Sequence, residues 1–334
     1  MSQLVLNEAL AMIKRRGASV MTKATQEILN TTYDKGILDS ALTHYVKVNL
    51  PLVNPLFPAL MSLSFETAKN DKDTHDFDSI AVAMTIIAFS ADIHDDIIDQ
   101  STVKYAKKTV YGKFGSEIAI LAGDALLIQG HALLHQAYEV LSPKQRCAIS
   151  LAVSKALFEL SASEALDVKL SKKTVIDSDK YFETMYLKGV FAELHCRIGG
   201  ILGQASDEVL DALACFGRTI GMLGTVQDEF GDMFDASELK HRIKFECPPL
   251  PMVYALHDEK VKTVLKALIE QIDSSKAVTA KINNLVLNSE GVCKLRHKIS
   301  EHIANQKSAQ IINSKNPAGQ DMSLLLQAFS SLNY

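Results

Sequence analysis

Two groups of acidic residues, Asp95-Asp96-Ile97-Ile98-Asp99 and Asp228-Glu229-Phe230-Gly231-Asp232, stand inside apolar stretches of helical periodicity. In each group the first and last acids are four positions apart, so on a helix they point the same way. Like charges at that spacing repel, and a carboxylate against an apolar wall loses hydration, so each cluster needs a cation. Oxygen-only ligands suit Mg²⁺, which takes one or two carboxylates, its own waters and phosphate oxygens. One such group alone reads most simply as a solvated helix end. Two of one pattern, flanked by the apolar runs Ile80 to Ile93 and Thr219 to Val226, read as facing clusters at a cavity mouth, able to grip a diphosphate through bridging metals.

The remainder of the chain supports a helical reading. Apolar residues recur at i, i+3, i+4 spacing through 1–30, 37–49, 56–69, 78–100, 116–141, 144–170, 179–204, 207–234, 249–256, 259–288 and 290–313. No Asn-Gly or Asp-Gly signal separates alternating runs, so an all-α fold is expected, as one domain over 1–334. A formal charge of −4 argues against a nucleic-acid surface. The longest apolar runs are broken by Asp92 or by Gly and Glu before spanning a bilayer, so no transmembrane segment is expected. Five cysteines without a Cys-x-x-Cys pair, and a start lacking signal-peptide order, fit a cytoplasmic protein with reduced thiols.

His94-Asp95-Asp96-Ile97-Ile98-Asp99, Leu121-Ala122-Gly123-Asp124, Tyr186-Leu187-Lys188 and Gln227-Asp228-Glu229-Phe230-Gly231-Asp232 follow one another in an order and at spacings that resemble the trans-isoprenyl diphosphate synthases, the superfamily that includes class I terpene synthases. The resemblance covers most of the chain. It implies the isoprenoid synthase fold, a helical barrel around a deep apolar cavity, with three Mg²⁺ ions and a homodimer. It makes Asp95, Asp99, Asp228 and Asp232 the principal metal ligands, with Asp96 and Glu229 in support. Lys188, Lys104, Arg242 and Lys240 are then the cations that hold an allylic diphosphate, Lys188 being placed with the four principal acids in the catalytic set.

The departures from the family pattern are selective. The early Gly-Lys-Arg-x-Arg-Pro segment falls on Val53-Asn54-Pro55-Leu56-Phe57-Pro58, which carries no positive charge. Arg-Arg-Gly becomes Lys104-Tyr105-Ala106, and Gly-Lys-x-Thr-Leu-Pro becomes Glu246-Cys247-Pro248-Pro249-Leu250-Pro251. The metal half of the site is kept while the half for isopentenyl diphosphate is stripped of cations. That pattern favours a terpene synthase, which ionises one allylic diphosphate and lets the cation cyclise, lose a proton or capture water. A trans-prenyltransferase using isopentenyl diphosphate or another acceptor, and a non-catalytic subunit of such a synthase, are the alternatives.

Phe89, Ser90 and Ala91, in the turns before Asp95, are expected to line the cavity. Small residues there leave room for a C15 or C20 chain, or a longer one. Asp92, in the same wall, is expected to orient a metal ligand, to act as a base, or simply to bond a neighbouring helix. His131, His135 and His195 read as core histidines.

Overall fold

A computed structural model describes residues 2–31, 36–69, 77–173, 175–272, 276–304 and 317–330. Helix accounts for 84% of the structure, as the periodicity implies. In chain order the helices are α1 (Ser2–Asn30), α2 (Ile37–His44), α3 (Leu56–Ala68), α4 (Phe77–Ile98), α5 (Val110–Phe114), α6 (Ser116–Ala137), α7 (Pro143–Ser171) and α8 (Ser178–Lys188). There follow α9 (Val190–Leu202), α10 (Asp207–Gly231), α11 (Ala236–Phe245), α12 (Leu250–Leu256), α13 (Lys262–Ile269), α14 (Lys276–Leu287), α15 (Glu290–Ala304) and α16 (Pro317–Ser330).

The starts of the long helices are written in the sequence. Ser142 caps α7 in a capping box with Gln145, and Pro143 takes the first turn, where its missing N–H costs nothing. Ser206 caps α10 in the same manner. Three expectations fail at interior breaks. The run 37–49 ends in a π-helical turn, Tyr45–Asn49. The run 179–204 divides at Gly189, and 259–288 divides into α13 and α14, with 273–275 outside the described residues, as is 305–313 of the last run. Glycine at this break lets α10 come close: a Cβ on Gly189 would lie 2.6 Å from the Arg218 carbonyl oxygen.

Three apolar clusters fill the interior. One joins α1, α2, α4, α6, α7 and α9. A second joins α8, α10, α12, α14 and α15, and a third ties α1, α3, α9, α10 and α16 together. The helices bearing the acids, α4 and α10, are central to this packing. The spans Phe77–Ile98, Ser116–Val140 and Asp207–Gly231 are long and apolar enough to cross a membrane, contrary to the expectation from their interruptions, because one or two charges do not disqualify an 18-residue stretch. The first and third are buried mostly within the fold, 61% and 56% of the apolar stretch respectively.

A short antiparallel hairpin follows α4, where no turn signal marks one. β1 (Val103–Lys104) pairs with β2 (Lys107–Lys108), and Tyr105 and Ala106 make the two-residue turn with φ of 51° and 60°. That conformation is usual for Asn-Gly and costly for residues with a Cβ.

Candidate active site

The end of α4 places Asp95 and Asp99 on one helical face, with Ala91 and Ala88 below them at helical spacing. α6 approaches this end closely because Gly123 has no side chain: a Cβ there would fall 2.3 Å from His94 Nε2. His94 in turn sits 3.3 Å from Asp124 Oδ1, which fixes the ring beside the first cluster.

Lys104, delivered by the hairpin, lies among the acids of α4. Its Nζ is 2.7 Å from Asp96 Oδ1 and 3.7 Å from both Asp92 Oδ1 and Asp95 Oδ2. Burial opposes its charge, but Asp92, Asp95 and Asp96 hold it protonated well above the usual lysine range. Asp96 is buried and is pushed up to about 7, by burial first, with Lys104 pulling the other way.

The second cluster faces the first across this lysine. Asp228 is pushed up to about 6 by the surrounding protein and by Glu229, and Lys104 counteracts that shift from the opposite side. The Tyr105 hydroxyl is also pushed up, first by desolvation and then by Asp228, with Asp92 and Asp232 adding to it, so the hairpin tip stands between the clusters. His241 on α11 closes the gap further along, its Nε2 donating to the Asp99 carbonyl oxygen at 2.7 Å.

Lys188 ends α8 on the third side. Its Nζ pairs with Asp167 at 2.6 Å and Glu164 at 3.1 Å, both on α7. Asp99 is raised by burial, then by Asp95 and Glu246, while Lys188 lowers it. Buried Arg218 braces this corner. Its Nη1 donates to the Tyr186 and Leu187 carbonyl oxygens at the C-terminus of α8, which also accept from the Gly189 N–H, and it pairs with Glu159 and Glu193.

Two residues expected at the metals or the diphosphate have their side chains engaged within the protein. Glu229 is buried beneath the cluster. One oxygen accepts from Arg242 Nη2 at 2.6 Å, the other from the Tyr181 hydroxyl at 3.1 Å and the Leu250 N–H at 2.6 Å. Arg242, expected on a diphosphate, is buried as the partner of Glu229, Asp232 and Glu246, and its Nε also donates to the Cys247 carbonyl oxygen at 3.1 Å. At that spot a guanidinium braces α10 against α11. Asp232 keeps a solvent-reached side and is pushed up to about 7 by burial, against the pull of Arg242. Lys240, two positions before Arg242, is exposed on the outer side of α11.

The cavity residues divide similarly. Ala91 and Asp92 are half-buried on the face that carries Asp95. Phe89 instead packs edge-on against Tyr45, ring centroids 5.7 Å apart, and Ser90 is buried. His195 is the core histidine expected, with burial lowering it to about 4. Phe57, where the family pattern has its second arginine, stacks on His195 at 4.9 Å and meets Phe191 edge-on. An aromatic cluster thus stands where the resemblance puts an acceptor cation.

Glu164, Asp167, Glu246 and Tyr45 belong to the site without having been picked from the sequence. Glu246 is the least hidden of them, since it stands beside the position where the family pattern carries a lysine.

Among the described residues no three Asp, Glu, His or Cys side chains converge to cage a metal unaided. The donor set still fits Mg²⁺, which draws most of its shell from water and phosphate and asks for one or two carboxylates at each ion. Asp95 and Asp99 on one side and Asp228 and Asp232 on the other would supply them. Burial first, and neighbouring carboxylates after it, raise Asp96, Asp228 and Asp232, and a bound cation would oppose both causes.

An all-α isoprenoid synthase scaffold carrying two facing acid clusters defines the class of the protein. The sequence profile of the polyprenyl synthetase family matches residues 37–286, and the chain belongs to that family. It is 30% identical over 170 residues to a geranylgeranyl diphosphate synthase of Methanosarcina mazei, covering 49% of this chain and 50% of that one. Similarity to a heptaprenyl diphosphate synthase component 2 of Geobacillus stearothermophilus is 22% over 244 residues, 71% of this chain and 72% of that one. The match spans only about half the length of the first of these relatives. In fold, a geranylgeranyl pyrophosphate synthetase from Pyrococcus horikoshii superposes with a TM-score of 0.80 at 22% identity, covering 97% of this chain and 98% of that one. A geranylgeranyl pyrophosphate synthase from Corynebacterium glutamicum, complexed with isoprenyl diphosphate and magnesium, superposes at 0.81 with 18% identity, covering 95% and 99%.

Proposed function

We propose that the protein is a Mg²⁺-dependent trans-prenyltransferase that ionises an allylic prenyl diphosphate and joins the prenyl cation to an acceptor. The observation that carries this reading is Lys104 held by Asp95 and Asp96 of the first cluster and acting on Asp228 of the second, with Lys188 acting on Asp99, in a chain of the polyprenyl synthetase family. When bound, Mg²⁺ would neutralise the diphosphate and stabilise it as a leaving group. Asp95, Asp99, Asp228 and Asp232 would hold three such ions, as the resemblance implies. Lys104 and Lys188 would meet diphosphate oxygens as point charges, without the bidentate fork of arginine.

A terpene synthase is the second reading, and one observation favours it. Phe57 is engaged in an aromatic stack and Tyr105 replaces a cation, so a diphosphate-bearing acceptor finds little positive charge at those positions. Incubation with Mg²⁺ and farnesyl or geranylgeranyl diphosphate, with and without isopentenyl diphosphate, separates the two. The expected result is a longer prenyl diphosphate formed only with the acceptor and lost in Asp95→Ala. A hydrocarbon or alcohol formed without the acceptor would replace the first reading with the second. Absence of turnover and of Mg²⁺-dependent diphosphate binding would leave a non-catalytic subunit.

The homodimer implied by the resemblance is also part of this reading. α6 and α7 present Ile128, Leu151 and Phe158 to solvent, the last with 77% of its surface open, beside a groove of about 600 Å³ between the two helices. A second copy would cover this face.

A further inference from the structure

The segment from His44 to Asn49 touches both parts of the site's first half. Its Tyr45 hydroxyl donates to Asp92 Oδ2 at 2.9 Å. Its two ends hold the base of the hairpin: His44 Nε2 and Asn49 Nδ2 lie 2.8 and 3.1 Å from the Lys108 carbonyl oxygen. Tyr45 is fully buried and locked against Phe89, so its hydroxyl has little freedom. π-Helical turns of this kind are rare, and they concentrate at functional sites.

Asp92 is one turn from Asp96 and faces the same ammonium. Lys104 therefore rests among three carboxylates, Asp96 at 2.7 Å and Asp92 and Asp95 each at 3.7 Å, and of these Asp92 is the one held by the Tyr45 hydroxyl. An ammonium on a four-carbon stem has no intrinsic direction, whereas an arginine fork does. It acquires one only from what flanks it.

We infer that Asp92, fixed by Tyr45, is a positioning residue that aims Lys104 at the diphosphate of the bound substrate. This rests on the proposed function, since it assumes a diphosphate between the acid clusters. Bare electrostatics makes the opposite forecast for Asp92→Asn: removing a negative charge from an anion site would tighten anion binding. If Asp92 acts by holding Lys104, the same substitution weakens it.

The test is calorimetric binding of inorganic diphosphate to the full chain at saturating Mg²⁺, in wild type, Asp92→Asn, Tyr45→Phe, Lys104→Met and the Asp92→Asn/Lys104→Met double variant. The expected result is binding weakened about tenfold by Asp92→Asn and about threefold by Tyr45→Phe. In the Lys104→Met background Asp92→Asn should add nothing, the signature of residues acting as one unit. Circular dichroism checks each fold, and Tyr45→Phe carries the test if Asp92→Asn does not fold. Unchanged or tighter binding by Asp92→Asn overturns the inference, as does a loss of equal size in both backgrounds. Wild-type protein that binds no diphosphate overturns the proposed function, and the inference falls with it.

Discussion

Glu229 and Asp232 differ by three positions, and what each one meets decides their chemistry. Three positions leave the two carboxylates only about 60° apart around the helix, so their partners and not opposite faces separate them. Glu229 meets Arg242, Tyr181 and a backbone N–H, and both of its oxygens are engaged inside the protein. Removing one partner of a buried pair leaves the other charged and unmatched, at about 3–5 kcal/mol. Glu229→Gln is therefore expected to lower the unfolding free energy by about 3 kcal/mol, while the Mg²⁺ affinity of the folded protein, measured by calorimetry, stays within about twofold. A large fall in affinity without a fall in stability would restore Glu229 to the metal site. In sequence the two acids look alike; Arg242 pairs with both, and it is Tyr181 on α8 and the Leu250 N–H on α12 that engage Glu229 alone.

At the scale of elements, the hairpin of β1 and β2 governs where Lys104 arrives. Its turn places Tyr105 and Ala106 in the left-handed region, where a Cβ crowds the following carbonyl. Ala106→Gly removes that crowding but adds freedom to the unfolded chain, so a net gain of about 0.5–1 kcal/mol is expected in urea unfolding. No gain would mean that the left-handed geometry costs Ala106 little. The sequence announced the helices and their caps, because periodicity and capping residues act locally. It was silent on the hairpin, because its two-residue strands are too short to leave a pattern and its base is anchored, at the Lys108 carbonyl oxygen, by His44 and Asn49 from more than fifty residues earlier. For the same reason the acids of α4 and α10 could be picked as a pair, while Glu164 and Asp167, ordinary in their own helix, gain meaning only when α8 brings Lys188 to them.

For the whole molecule, α6 and α7 pose a different question. Much of their apolar surface is not used within the chain: only 33% of the apolar stretch in Ser116–Val140 is buried, against 61% in α4. Exposed apolar area on this scale is a feature of association surfaces. A charge at its centre would be left desolvated in a dimer and hydrated in a monomer. Phe158→Glu is expected to shift the protein from dimer to monomer in size-exclusion chromatography with light scattering, without loss of helical circular dichroism. A wild type that is monomeric at micromolar concentration would remove the second copy from the proposal.

The arrangement of Lys104, Lys188 and Arg242 also sets an order of events. Each of these cations is already matched by two or more carboxylates, so the field that reaches out from the site toward solvent is negative. A bare prenyl diphosphate diffusing toward it is slowed, and a divalent ion is drawn in. On the proposed function, encounter would therefore run in sequence, metal ahead of substrate or arriving with it. Raised ionic strength would hasten the approach of the naked anion while retarding that of the ion.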